Sequence, residues 1–205
     1  MIRNKFRCEL ISWRRVYQLS HKIACQVTGS GFQPDKIVAI GRGGYIPARI
    51  LCDFLDIYDL SAIRVEHYKK GIQRKAVARI VDPLCAGVSG QRLLVVDDVS
   101  DTGDTFQVAV EHICKFNPQE IKTAVLHHKI VAGFVPDYFA QRVIKWRWLI
   151  YPWAMMEDLS AFIRQMENRP SSVKLMARRL KKDYGINVSG KILELVVSAL
   201  NQDLN

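Results

Sequence analysis

The chain alternates short apolar runs with longer amphipathic stretches, and their order predicts the elements. Behind Ser12, a capping residue type, Trp13, Val16, Leu19, Ile23, Ala24 and Val27 recur at helical spacing until Gly29, so the pattern predicts an amphipathic first helix. After the turn Gln33-Pro34-Asp35, residues 36–40 read as a buried strand, and a helix is expected from about Pro47, a favoured first-turn residue, to Leu55. Residues 61–65 read as another strand, and Ala76-Val77-Ala78-Arg79-Ile80-Val81 can pair as a hairpin. Leu93-Leu94-Val95-Val96 reads as a buried central strand. A helical pattern opens at Thr105, runs through Val108, Ala109, Ile113 and Cys114, and stops at Asn117-Pro118. Residues 121–126 make the next strand, and a helix is expected over 157–166 before the boundary Asn168-Arg169-Pro170. The remaining residues predict two helical segments, 171–182 and 191–200. In them Leu175, Met176 and Leu180, with Ile192, Leu195, Val196, Val197 and Leu200, would pack as a helical hairpin.

The chemistry concentrates where the central strand meets its helix, at Asp97-Asp98-Val99-Ser100-Asp101-Thr102-Gly103-Asp104-Thr105. In open α/β sheets the carboxyl ends of strands are where ligands bind. Four carboxylates within eight residues repel one another, so cations, donors or a metal must hold them charged. Thr102-Gly103-Asp104-Thr105 has the composition of a phosphate cradle: a glycine for close backbone approach, hydroxyls, and N–H groups at a helix N-terminus. Acids beside such a cradle suggest a ligand with both hydroxyls and phosphate, such as a sugar phosphate with a divalent cation. The plainer alternative is an acidic turn in which Thr102 or Asp101 caps the helix.

A second glycine-rich turn, Gly41-Arg42-Gly43-Gly44, also sits where a strand meets a helix, and its arginine is a bidentate anion donor. From His67 to Gln91 the chain is basic and rich in turn residues, with Lys69, Lys70, Gly71, Arg74, Lys75 and Arg79. These 25 residues between strands are long enough to form a lid. His127-His128-Lys129 stands at the end of the 121–126 strand. Two adjacent histidines with no third ligand at metal spacing make a poor metal site, whereas Lys129 is placed to donate to a carbonyl oxygen. Aromatic residues crowd Trp146-Arg147-Trp148-Leu149-Ile150-Tyr151-Pro152-Trp153. Such a cluster can stack a planar heterocycle; Trp146 and Trp153 are expected to pack in the core instead.

The segment Val95-Val96-Asp97-Asp98-Val99-Ser100-Asp101-Thr102-Gly103-Asp104-Thr105 resembles the phosphoribosyl-pyrophosphate signature of the type I phosphoribosyltransferases. Lys129, Pro136-Asp137-Tyr138 and the tryptophan segment resemble the base-recognition region of the xanthine-guanine and hypoxanthine branch. The resemblance spans roughly residues 10–165. It implies an α/β fold with a mostly parallel twisted sheet flanked by helices, a phosphoribosyltransferase domain over 1–168 and a C-terminal helical extension over 169–205. It implies Mg²⁺ as cofactor, and the phosphoribosyl donor and a 6-oxopurine (hypoxanthine, guanine or xanthine) as substrates. Asp97 and Asp98 would hold the ribose hydroxyls, with Asp98 nearest the metal. Thr102, Gly103, Asp104 and Thr105 would bind the 5′-phosphate, and Arg42 with Gly43 the pyrophosphate. Asp101 would manage the proton on the base nitrogen. Lys129 would meet the 6-oxo group, while Trp148 stacks on the purine and Leu149 adjoins it. The region departs from the pattern in two respects: the spacing from Pro136-Asp137-Tyr138 to the tryptophan segment is a residue or two longer than expected, and Ile150 and Ala154 stand where an acidic residue is expected shortly after the tryptophan, with Glu157 and Asp158 coming later.

Composition narrows the setting. A 205-residue chain of 49% hydrophobic residues suits one α/β domain with an appendage. No apolar run approaches about 18 residues, and the N-terminal residues lack an apolar leader core, so no membrane span or export is expected. The five cysteines, far apart and with no C-x-x-C pair, argue against a disulfide framework or zinc site and suit a reducing cytoplasm. The formal charge of +10 suits a polyanionic substrate on a basic solvated surface. It also keeps a different class open, a regulator that senses the phosphoribosyl donor and touches nucleic acid through its basic surface, including Lys174, Arg178, Arg179, Lys181 and Lys182. Retention of Asp101 and of the base-recognition residues favours the enzyme over that regulator. Lys129 with Trp148 favours an oxopurine over adenine, orotate or uracil. Family members commonly dimerise or tetramerise, which implies a homo-oligomer.

Overall fold

Continuous runs of Ile, Val, Leu and Ala become fully buried strands when helices cover both faces of a parallel sheet. Two such runs, Lys36–Gly41 and the first half of Arg92–Ser100, lie side by side in the larger sheet of the computed structural model. The structure describes residues 6–68, 77–85, 87–130 and 133–202. In chain order the elements are β1 (Cys8–Leu10), α1 (Trp13–Gly29), β2 (Lys36–Gly41), α2 (Tyr45–Leu55), β3 (Leu60–Tyr68), β4 (Val77–Asp82), β5 (Arg92–Ser100), α3 (Asp104–Cys114), β6 (Glu120–Lys129), β7 (Tyr138–Val143), β8 (Trp148–Ile150), α4 (Met155–Arg164), α5 (Val173–Tyr184) and α6 (Gly190–Gln202). They fall into two compact units, Arg14–Ile144 and Met1–Trp13 with Lys145–Asn205.

The larger unit holds a six-stranded sheet in the order β4-β3-β2-β5-β6-β7, parallel except for the antiparallel edge pair β3–β4. Strand residues alternate between faces. Val38, Ile40, Val95 and Val125 join Phe106, Ala109 and Ile113 of α3 in one core cluster, whereas α2 lies on β2 and β5 from the other side. Between β2 and β5 the chain reverses its direction of winding: β3 lies on one side of this pair and β6 on the other. Such a switch point opens a crevice at the strands' carboxyl ends. Helix α1 is tied to β7 by its amphipathic edge, with Lys22 Nζ donating to the Ala140 carbonyl at 2.6 Å and Gln26 Nε2 to that of Phe139 at 3.2 Å. Asp137 fixes the start of β7: Oδ2 accepts from both the backbone N–H and the hydroxyl of Thr123 at 2.8 Å, and Lys122 lies 3.3 Å from Oδ1.

The smaller unit pairs β1 with β8 in parallel, Cys8 opposite Trp148 and Leu10 opposite Ile150, and packs α4, α5 and α6 around them. Ser172 caps α5 through Leu175 N, a contact worth about 1 kcal/mol, and Gly185 ends that helix in the left-handed region at φ 78°. The expected hairpin of helices forms, with a different inward stripe. Met176 and Leu180 meet Leu193, Val196 and Leu200, while Leu175 and Leu195 point to solvent, because one residue's step turns the side chain by about 100°. Trp146, expected in the core, is 44% exposed: it precedes β8 outside regular structure and touches Phe6 edge-on at 5.8 Å.

Elsewhere the elements follow the pattern with boundary shifts. Helix α2 begins at Tyr45, two residues before Pro47, and β5 continues through Asp97 and Asp98 to Ser100, so the acidic pair belongs to the strand itself. The hairpin expected over 76–81 is realised as β4 against β3, with Val65 opposite Ile80 and Tyr68 opposite Val77. Lys69, Lys70, Gly71, Arg74 and Lys75 of the expected lid lie outside the described residues. No helix among the described residues is long and apolar enough to cross a membrane.

Candidate active site

Three adjacent strand ends of the larger unit carry the candidate residues. The loop after β2 supplies Arg42 and Gly43, the end of β5 and the turn into α3 supply Asp97 to Thr105, and β6 ends on Lys129.

The first two segments touch. A methyl group built on Gly43 would lie 2.5 Å from Asp98 Oδ1 and 2.7 Å from Oδ2, so only a glycine lets the loop pass so close to that carboxylate. On Gly44 it would meet the backbone oxygens of Val96 and Ile40. The loop enters through a cis peptide between Gly41 and Arg42.

Asp97 is 8% exposed, and its Oδ1 accepts the Asp98 backbone N–H at 2.8 Å. Burial, and then the adjacent Asp98 charge, hold its carboxyl well above the ordinary carboxylate range, more than the backbone N–H offsets.

The turn into α3 opens on a glycine. Gly103, with φ 91°, stands at the N-cap position, so the alternative in which Thr102 or Asp101 is the N-cap residue is not realised. Thr102 Oγ1 instead accepts the Asp104 N–H at 3.4 Å. A methyl on Gly103 would lie 2.5 Å from the Phe134 Cβ, because Phe134 stacks flat on Phe106 at 5.4 Å and Gly133 N–H donates to the Thr102 carbonyl at 2.9 Å. Thr105 Oγ1 lies 3.0 Å from Nε2 of His67 on β3.

Ser100 is paired with His128 in the β5–β6 register, so the next residue of each strand emerges beside the other. These are Asp101 and Lys129, and Lys129 Nζ donates to Asp101 Oδ2 at 2.8 Å. The lysine is 3% exposed, so its charge is compensated within the fold. Of the two histidines before it, His127 is pushed down to about 4 by burial, with Arg15 adding to the effect. His128 is lowered too, by burial and Arg142. Among the described residues no three His, Cys, Asp or Glu side chains are grouped to hold a metal.

Trp148 and Leu149 belong to the smaller unit. The Trp148 N–H donates to the Arg7 carbonyl at 2.9 Å, its ring lies 6.3 Å from Phe6, and it stays 38% exposed. The Trp148 side chain hydrogen-bonds Asp158, whose carboxyl is nonetheless raised by burial. Asp158 lies in the first turn of α4. Leu149 is buried opposite Glu9.

Sequence reasoning missed His67 against Thr105, Phe134 against Gly103, and the mutual pairing of Asp101 and Lys129. Each joins residues at least 28 positions apart, which only the tertiary fold brings together.

The phosphoribosyl transferase domain family model matches residues 9–155. The hypoxanthine-guanine phosphoribosyltransferase of Saccharomyces cerevisiae is 29% identical over 71% of this chain and 85% of its own length. The xanthine-guanine phosphoribosyltransferase of Idiomarina loihiensis is 28% identical over 71% and 86%. Among solved structures, a purine phosphoribosyltransferase from Pyrococcus horikoshii Ot3 superposes with a TM-score of 0.63 at 35% identity, over 71% of this chain and 93% of that one. With its glycine loop against Asp98, its Gly103 turn at the start of α3 and its mostly parallel sheet, this chain belongs to the phosphoribosyltransferase family, in the branch of the hypoxanthine-guanine and xanthine-guanine enzymes.

Proposed function

We propose that the chain transfers the 5-phosphoribosyl group from phosphoribosyl pyrophosphate to a 6-oxopurine, giving the nucleoside monophosphate and pyrophosphate. The observation that carries this reading is the Asp101–Lys129 pair beside the Thr102–Thr105 turn. On this reading Asp101 serves as proton acceptor and Lys129 as carbonyl donor, and the contact between them at 2.8 Å beside the start of α3 supports it.

In this reading the α3 N-terminus and the hydroxyls of Thr102 and Thr105 hold the 5′-phosphate. Asp97 and Asp98 hold the ribose hydroxyls, and Arg42 with the Gly43 backbone holds the pyrophosphate. Lys129 donates to the 6-oxo group, Trp148 stacks on the ring and Leu149 lies along it. The bond from the ribose anomeric carbon to pyrophosphate oxygen breaks while a bond to the purine nitrogen forms. The proton on that nitrogen passes to Asp101, and carboxylates near the anomeric carbon favour its developing positive charge. The half-buried Asp98 carboxylate beside the Gly43 loop is the oxygen donor that would hold Mg²⁺, a hard cation that takes oxygen ligands. When bound it neutralises the leaving pyrophosphate.

The deciding experiment measures pyrophosphate release with Mg²⁺, the phosphoribosyl donor and six bases: hypoxanthine, guanine, xanthine, adenine, orotate and uracil. Turnover with one or more oxopurines is expected; turnover only with adenine, orotate or uracil would overturn the base assignment. No turnover with any of them, together with tight donor binding, would favour a sensor.

A further inference from the structure

We infer that His67 is a positioning residue of the phosphate turn, reaching it from β3. This rests on the assignment of Thr102–Thr105 to the 5′-phosphate. His67 is exposed, so core packing does not hold it in place, yet its Nε2 lies 3.0 Å from Thr105 Oγ1. Thr105 is the second residue of α3, within the turn whose N–H groups have no partner in the helix.

A threonine hydroxyl has one proton to donate and two lone pairs to accept with. If the imidazole accepts from Thr105, the proton is spent on His67 and the hydroxyl faces an anion with lone pairs only. If Nε2–H donates, the threonine oxygen is satisfied as an acceptor and its own proton is left to point over the helix N-terminus. A bound phosphate selects the second arrangement, because it can only accept. His67 thereby orients the hydroxyl that the phosphate uses. The β3–β4 hairpin, two strands away from β5 in the sheet, is thus joined to the phosphate turn by this contact.

The test uses the full chain and two readouts. Calorimetry measures binding of phosphoribosyl pyrophosphate with Mg²⁺, of ribose 5-phosphate, and of inorganic pyrophosphate, which has no 5′-phosphate. Steady-state pyrophosphate release gives the two KM values and kcat. His67→Ala is expected to weaken the first two ligands about tenfold and to raise KM for the donor by a similar factor. Pyrophosphate binding, kcat and KM for the base should stay within about twofold. His67→Gln, whose amide N–H can stand where Nε2 stood, should recover most of the loss. An alanine variant that binds as wild type overturns the inference, as does a glutamine variant as weak as alanine. A general loss of all three ligands and of thermal stability does so too, since it marks a role in the fold alone. A wild-type chain that binds ribose 5-phosphate but turns over no base overturns the transferase reading, and there the difference between the two variants still decides the role of His67. A wild-type chain that binds neither phosphoribosyl ligand overturns both.

Discussion

Replacing Gly43 by alanine separates the stability of the fold from the placement of the acidic pair. The added methyl would sit 2.5 Å from Asp98 Oδ1, whereas ordinary contact begins at 3.4 Å, so the carboxylate must retreat by 3.4 − 2.5 = 0.9 Å. Asp98 can do so by turning its short side chain off its rotamer, at about 0.5–1.5 kcal/mol. The glycine-to-alanine change also stiffens the unfolded chain, which returns about 0.4–1 kcal/mol, and Gly43 is not among the glycines with positive φ. The two nearly cancel, so the melting temperature should stay within about 3 °C of wild type. Function should not be spared. A displacement of about 1 Å at a positioning group costs on the order of 10²-fold in rate, or about 2.7 kcal/mol of transition-state stabilisation. Steady-state kinetics with the donor varied should therefore show kcat/KM down by about two orders of magnitude. Gly87→Ala, with nothing within 4 Å of the new methyl, should leave it unchanged. Gly44→Ala, whose methyl meets fixed backbone oxygens, should instead lower the melting temperature. A Gly43→Ala enzyme within about threefold of wild type would refute the reasoning, since it would mean that the position of Asp98 is irrelevant to turnover.

Three further substitutions probe the remaining parts of the site. Asp97 holds its proton to a higher pH in the fold than in the unfolded chain, so the fold binds more protons in that window and loses stability as pH rises from about 3.8 toward the raised value. Asp97→Asn should remove this dependence. Its melting temperature should gain on wild type as pH rises to neutrality while donor affinity falls, and parallel melting curves would contradict the assignment. Asp101→Asn should lower kcat by about 10²–10⁴-fold, because it removes the proton acceptor and the partner of the buried Lys129; a fully active, folded variant in a steady-state assay would remove Asp101 from that role. Trp148→Ala should raise KM for the base far more than KM for the donor, and equal effects would assign Trp148 to packing against Phe6 and Asp158 instead.

What the sequence revealed and what it concealed follow from the range of the forces involved. The turn from Asp97 to Thr105 was legible because strand, glycine N-cap and helix are set by neighbours in the chain, and the structure places Gly103 at the helix start. Lys129 was legible as a residue at a strand end. That it grips Asp101 was not, since the pairing comes from the β5–β6 register, where Ser100 opposes His128. Apolar periodicity located α5 and α6 but misassigned Leu175 and Leu195, because apolar composition outnumbers the positions that one buried stripe can accommodate. Trp146 was misplaced for a similar reason: a large aromatic next to a short strand is not obliged to enter the core. Asp158 lies ten residues beyond Trp148, and only the return of α4 toward β8 shows that it is the tryptophan's partner.

The β1–β8 pair has a bearing on how this protein is made. Cys8 is aligned with Trp148, 148 − 8 = 140 positions later, and Arg7 supplies the carbonyl that holds the tryptophan's N–H. Closing a flexible loop of that length costs about 4 kcal/mol of chain entropy, so a nascent chain gains nothing from β1 until β8 and the helices that bury both have been synthesised. The six-stranded sheet, whose strands all precede position 144, can assemble while the ribosome is still adding residues. The strand ends that carry Arg42, the Asp97–Thr105 turn and Lys129 are thus formed early, and Trp148 acquires its setting last.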